Sequence, residues 1–293
     1  MKFGIGIIPS PDVNKTINQV ELAEDSGFEY AWISDTYDGN IFNTVRNCIL
    51  ETESIKVGPG VTNPYTQTPQ KIADEILRIE DLSQNRTMLG IGPGDKEKLH
   101  QKNIPWTQPY NEIERAINII TNKFNQNVKI PIYLEAQSQK LLKLSRQNLD
   151  GILVNASYPK YYEKLTKNWD FEINAYTATS VNNDSQAAIN AARIIVTFII
   201  AGSSPQVLEK HNVAPLLSNK IYTNLCAGNF GGSISLVNRD LIDKFSVSGT
   251  PRDIISKIEE LKNVGVSQFI AGPPIGKNIE ESIILFKEII STF

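Results

Sequence analysis

The chain has 293 residues, 41% of them hydrophobic, with 29 basic against 32 acidic side chains and a net charge of −3. That balance argues against a nucleic-acid surface as the main feature, and two cysteines without CxxC spacing argue against a disulfide framework or a zinc site. The start, Met1-Lys2-Phe3-Gly4-Ile5, lacks the basic-then-apolar pattern of a secretory leader, and the longest apolar run, residues 194–201, is shorter than a bilayer span and contains Thr197. The expectation is a soluble, cytoplasmic protein with no membrane or nucleic-acid partner and no metal.

Short apolar runs alternate with longer amphipathic ones from the first residues onward. Residues 3–8 read as a buried strand and 14–26 as a helix, with Ile17, Val20, Leu22 and Ala23 on one broad face and Gly27 as its stop signal. Strands follow at 30–34, 55–58 and 87–91, alternating with helices at 43–51, 68–82 and 108–124. Residues 130–134 continue as a strand before a helix at 138–147, and 151–155 as a strand before a helix at 159–167. A strand at 173–180 leads into a long helical region, 185–226, broken near Gly202 and Pro215. A helix at 251–263, a strand at 268–271 and a closing helix at 279–290 complete the chain.

Eight β segments with intervening helices imply parallel strands joined by right-handed crossovers. That count favours a closed (β/α)8 TIM barrel over an open doubly wound sheet. No linker, low-complexity segment or short repeat interrupts the pattern, so residues 1–293 read as one domain.

In such a barrel the loops after the C-terminal strand ends form the active site. Here they are rich in Gly, Pro, Asn, Ser and Thr, notably Gly58-Pro59-Gly60-Val61-Thr62-Asn63-Pro64-Tyr65 and Gly92-Pro93-Gly94-Asp95-Lys96. Each glycine taken singly is an ordinary turn residue. Two such stretches on strand ends also suit an anion held by backbone amides, although Gly92-Pro93-Gly94 lacks the third glycine of a dinucleotide fingerprint. Asp35 and Asp95 end strands and can bind a ring N–H or act as acids; Asp is equally favoured as a helix N-cap. His100 and His211 are the two histidines, and His211, in Glu209-Lys210-His211-Asn212, reads as a solvated helix end. So few reactive side chains disfavour triad hydrolysis or metal catalysis and point to chemistry supplied by a cofactor.

Several segments resemble the methylenetetrahydromethanopterin reductase family: Ala23-Glu24-Asp25-Ser26-Gly27-Phe28, Val57 to Thr66, Leu89 to Lys96, Phe198 to Pro205, Gly228-Asn229-Phe230-Gly231-Gly232 and Phe245 to Pro251. The resemblance implies a luciferase-like barrel of archaeal one-carbon metabolism. Such a protein uses the deazaflavin coenzyme F420 to transfer a hydride to or from the methylene carbon of a tetrahydropterin, and self-associates as a homo-oligomer. It further implies a cofactor site at Asp35, at Gly60, Val61, Thr62 and Asn63, at Gly92, Pro93 and Gly94, and at Ala136, Gln137 and Ser138. A cis peptide is implied at Gly60-Val61.

The chain departs from the family pattern at five places. Gly6 stands where the family has the glutamate that donates a proton to the pterin, so Asp95, ahead of Glu135 or Asp35, is expected to supply the acid. Glu135-Ala136-Gln137-Ser138-Gln139 replaces Gly-Ala-Gln-Gly-Pro and brings a negative charge to the loop that cradles the cofactor phosphate. Thr36 follows Asp35 where relatives often carry His, and segments are shortened between 124 and 130 and between 164 and 173. These departures keep two alternatives open: a luciferase-like F420- or FMN-dependent oxidoreductase acting on another substrate, and a ligand-binding homologue without catalysis.

Overall fold

Period-2 alternation within short runs decides which side chains meet the helices and which meet a common axis. The computed structural model describes residues 1–36, 38–124, 128–136, 138–144, 149–167 and 171–293. The first half runs β1 (Lys2–Ile7), α1 (Val13–Asp25), β2 (Tyr30–Ile33), α2 (Ile41–Glu51), β3 (Lys56–Pro59), α3 (Pro69–Ser83), β4 (Leu89–Ile91), α4 (Lys96–Gln101) and α5 (Pro109–Phe124). Next come β5 (Ile132–Glu135), α6 (Gln139–Leu144), β6 (Gly151–Val154), α7 (Pro159–Thr166), β7 (Glu172–Val181), α8 (Ser185–Gly202), α9 (Pro205–Lys210) and α10 (Pro215–Cys226). The chain ends with α11 (Phe230–Ile234), α12 (Arg239–Phe245), β8 (Val247–Gly249), α13 (Pro251–Asn263), β9 (Gln268–Ile275) and α14 (Ile279–Ile290).

The strands pair in the order β3-β2-β1-β9-β7-β6-β5-β4, all parallel. The ring closes between β3 and β4. Val57 N donates to Arg86 O (2.9 Å), Thr62 N to Gly90 O (3.0 Å) and Gly92 N to Thr62 O (2.9 Å). The expected eight-stranded parallel barrel is therefore present, with strands close to the expected places. A ninth strand, β8, pairs with β7 outside the ring, and the short helices α4, α11 and α12 were not expected.

Outward side chains such as Ile5, Ile33, Leu134, Val154 and Phe269 are buried against the helices in one continuous core. Burial of that apolar shell is the main stabilising term. The inward row is distinct: Tyr30, Trp32, Met88, Tyr133, Leu153 and Ile270 fill the lumen, with Val61 and Tyr176 packed on them. At the N-terminal end of the lumen Lys2 Nζ pairs with Glu172, whose other carboxylate oxygen accepts from Tyr133 Oη (3.3 Å).

Between β7 and β8 the chain builds a second apolar cluster from Ile189, Ala192, Val196, Ile200, Ile221, Leu241, Ile242, Phe245 and their neighbours. The apolar run at 194–201 is thus part of the 18-residue helix α8, long and apolar enough by length and composition to cross a membrane. Here one stripe of α8, Ile189, Ala192, Val196 and Ile200, is buried in that cluster. Cys48 is buried and Cys226 exposed, both free thiols.

Candidate active site

Strands that share a barrel end deliver their loops to one mouth. A cavity of about 980 Å³ opens there, lined from the barrel by Ser34, Asp35, Gly60, Val61, Glu135, Leu153, Asn155, Tyr176 and Gly272. The loop after β4 adds Gly94, Asp95, Lys96 and Lys98, and α8 and α9 roof it with Ile195, Phe198, Ile199, Gly202, Ser203, Ser204 and Val207. Large concave sites with an apolar wall and a few convergent polar groups are where ligands bind.

Among the expected site residues, Asp35, Gly60, Val61, Gly94 and Asp95 come together on this cavity. Asp35 is buried and its Oδ2 accepts from Thr62 Oγ1 at 3.0 Å. Thr62 and Asn63 are themselves buried; the Asn63 carboxamide oxygen accepts from Tyr65 N and Thr66 N, both at 3.0 Å, and so holds the loop in shape. Gly92 backs the site, and Pro93 O accepts from Trp106 Nε1 at 2.8 Å. Ala136 is buried, its N–H donating to Leu153 O at 3.2 Å, while Ser138 Oγ accepts from Leu141 N at 3.2 Å and starts α6. Gln137 lies outside the described residues. The Gly60-Val61 peptide is cis, as the resemblance implied, and Pro273-Pro274 is a second cis bond that was not expected.

The two loop carboxylates do different work. Asp95 is exposed, and its Oδ1 accepts from Glu97 N (2.9 Å) and Lys98 N (3.2 Å), so it caps α4 at the edge of the cavity. Glu135 points inward from the last residue of β5. Its Oε1 accepts from Asn155 Nδ2 at 2.5 Å. Its Oε2 lies where a side chain on Gly92 would stand, 2.5 Å from the Cβ that residue lacks. Burial pushes the Glu135 carboxyl up to about 7, against the Asn155 hydrogen bond and with help from the charge of Asp95. The negative charge that Glu135 brings to this loop is therefore disfavoured by its burial.

Gly6 has an equally local explanation. A Cβ there would stand 2.1 Å from Tyr176 Oη and 2.5 Å from Cζ, and a Cβ on Gly272 would stand 2.8 Å from Tyr176 Cε2. The Tyr176 ring therefore occupies the space in front of two glycines. Burial raises its phenol above the ordinary range, and a hydrogen bond with Ser34 partly opposes that rise. Tyr176 is the site residue that sequence reasoning missed most completely.

His211 differs from the expectation of a solvated helix end. It is 4% exposed, lines the cavity, and stacks on Phe245 with centroids 4.5 Å apart. Its Nδ1 is 2.8 Å from Val207 O, and burial lowers its pKa. The packing of α12 over α9 covers it, a contact between segments more than thirty positions apart.

Residues 2–268 match the model of the luciferase-like monooxygenase family. Two relatives, both 5,10-methylenetetrahydromethanopterin reductases, align over nearly the full lengths of both chains. That of Archaeoglobus fulgidus is 40% identical, covering 99% of this chain and 99% of its own. That of Methanopyrus kandleri is 33% identical, covering 100% and 99%. The solved structure of the coenzyme F420-dependent tetrahydromethanopterin reductase from Methanopyrus kandleri superposes with a TM-score of 0.92 at 32% identity, covering 100% of this chain and 99% of that one. An F420-dependent secondary alcohol dehydrogenase superposes with a TM-score of 0.77 at 15% identity, which speaks to the fold alone.

Proposed function

Because this chain belongs to the 5,10-methylenetetrahydromethanopterin reductases of the luciferase-like family, we propose that it transfers a hydride between coenzyme F420 and a tetrahydropterin one-carbon unit. The observation that carries this reading is full-length similarity in both sequence and structure, 40% identity to one named reductase and a TM-score of 0.92 to another. The alignment with the 40% identical reductase spans 328 positions against 293 residues here, so that relative carries segments this chain lacks, while the eight-stranded ring is complete.

The residues present fit such a cofactor. Val61, Leu153, Ile195 and Phe198 give apolar walls for a planar ring, and Ser157, Ser203, Ser204 and Lys96 give a polar end for an anionic tail. Gly202 lines the cavity, with nothing within 4 Å of its missing Cβ. When bound, a deazaflavin supplies or accepts two electrons as hydride. The protein's own residues orient it and exclude water: Asp35, Gly60, Val61 and Gly94 line the cavity, with Thr62, Asn63, Gly92 and Ala136 buried behind them. Asp95 fixes α4 at the rim.

The same reading places the chain in archaeal one-carbon metabolism, in the cytoplasm, as a single-domain protomer of a homo-oligomer. The test is equilibrium titration of the purified protein with F420 and with FMN. Saturable binding of F420 well ahead of FMN is expected. Preference for FMN would move the reading to the flavin-dependent members of the family, and binding of neither would favour a barrel that has left this chemistry.

A further inference from the structure

Glu135 is a half-buried carboxylic acid in the active-site cavity that the binding roles above leave without a task. It sits at the C-terminal end of β5 on the same inward row as Tyr133, the row that faces any ligand entering the mouth. Its position depends on Gly92: any side chain there would meet Glu135 Oε2 at 2.5 Å and Cβ at 3.0 Å. Asn155, exposed at the end of β6, holds the opposite carboxylate oxygen. Glu135 and the exposed Asn155 amide that holds it both line the cavity, so a proton given to a ligand there can be regained from water at the mouth.

Other groups on this cavity are less suited to that task. Asp95 is exposed and has its Oδ1 committed to two α4 backbone N–H groups, as the cap of that helix. Asp35 is held by Thr62. Position 6 has no side chain, and the Tyr176 ring stands in its space. The charged and titratable groups on this cavity are Asp95, Lys96, Glu97 and Lys98 around α4, Asp35 after β2, Tyr176 on β7 and His211 after α9; of these Asp95 and Tyr176 are in electrostatic contact with Glu135.

We propose that Glu135 is the general acid of this enzyme, delivering a proton to the ring nitrogen of the pterin substrate. The proposal rests on the reading of the site as a pterin reductase. In the reductive direction the reacting carbon lies between two nitrogens. The proton passes from the Glu135 carboxyl to one of them, the bond from that nitrogen to carbon breaks, and its electron pair stays on nitrogen. The lone pair of the second nitrogen forms a carbon–nitrogen double bond. That carbon then accepts a hydride, two electrons with one proton, from the reduced deazaflavin, which is oxidised. Glu135 is left as carboxylate and is reprotonated from solvent beside Asn155. A carboxyl raised to about 7 is suited to this exchange.

Glu135→Gln and Asp95→Asn are compared with the parent by three readouts. The first is the glutamate carboxyl signal in infrared difference spectra across pH, with 13C-labelled glutamate, which needs no turnover. A signal titrating near pH 7 and missing from Glu135→Gln is expected; titration of that carboxyl in the ordinary range near 4.5 would overturn the proposal. The second is F420 affinity, expected to stay within about threefold in both variants. The third is the pH dependence of kcat with F420 and the pterin. The parent should lose rate as pH rises through about 7, and Glu135→Gln should fall by about 10²-fold and lose that limb. An active parent with an unchanged Glu135→Gln variant overturns the assignment of Glu135 and leaves the reductase reading intact. A parent that binds F420 but does not reduce the pterin sinks the reductase reading, and the proposal with it.

Discussion

Adding one methyl group at position 6 should destabilise the barrel, and the cost should disappear when Tyr176 is removed. β1 is paired on both sides, to β2 and β9, so its backbone cannot retreat. A Cβ on residue 6 would stand 2.1 Å from Tyr176 Oη, 2.5 Å from Cζ and 2.6 Å from Cε2. Gly272 packs against the same edge of the ring, its missing Cβ 2.8 Å from Cε2 and 3.0 Å from Cδ2, so the ring already lies close over both strands. Gly6→Ala must therefore push Tyr176 off its rotamer and break its bond with Ser34. Overpacking costs about 1–3 kcal/mol and the lost hydrogen bond about 1 kcal/mol more, together about 2–4 kcal/mol. For a chain of this size that lowers Tm by about 4–8 °C. In a Tyr176→Ala background the space is open, and Ala in a strand exceeds Gly by about 0.5–1 kcal/mol, so Gly6→Ala should be neutral or stabilising. Thermal or urea unfolding of the four proteins gives the coupling energy, expected near 2–3 kcal/mol. Tyr176→Phe should relieve little, since Cζ remains. Equal costs of Gly6→Ala in both backgrounds would refute the packing account. Gly6→Glu follows the same logic: it should lower stability without raising turnover, because Tyr176 occupies the space the new carboxylate would need.

Three further outcomes follow. The Glu135 carboxyl binds its proton more tightly folded than unfolded, so the parent should lose stability relative to Glu135→Gln as pH rises from about 4.5 through 7; Tm differences measured across that range check it, and a flat difference refutes it. His211 is shifted the other way, its folded pKa lowered by burial, so the stability it confers while neutral is lost as pH falls below its ordinary value of 6.5; His211→Phe should flatten the acid side of the Tm–pH curve. Asp95→Ala should cost about 1 kcal/mol through the lost cap of α4, whereas Asp95→Asn, an equally good cap, should leave Tm nearly unchanged and kcat within about threefold.

The barrel was legible because parallel strands buried on both faces read as short apolar runs, set apart by helices with 3.6-residue stripes. β8 escaped because three residues, Val247-Ser248-Gly249, make no run, and their strand character comes only from pairing with β7. The mouth was legible in outline, since strand-end loops such as Gly92 to Asp95 can be placed from topology alone. What each carboxylate does there was not. Asp95 and Glu135 both follow strands, and only folding shows that one caps a helix while the other is desolvated over Gly92. Gly6 appeared as a lost side chain; its partner Tyr176 is 170 positions away, beyond any local pattern. His211 sits in a polar stretch, and its burial depends on Phe245 arriving from α12.

The central claim, hydride transfer between F420 and a methylene tetrahydropterin, is tested most directly by mixing reduced F420 with methylenetetrahydromethanopterin and catalytic amounts of the purified protein while following the absorbance of oxidised deazaflavin. The account predicts oxidation that requires protein and pterin together, yields the methyl pterin in equal amount, and slows as pH rises through about 7. Tight F420 binding with no pterin-dependent oxidation, or turnover with reduced FMN in place of F420, would contradict it.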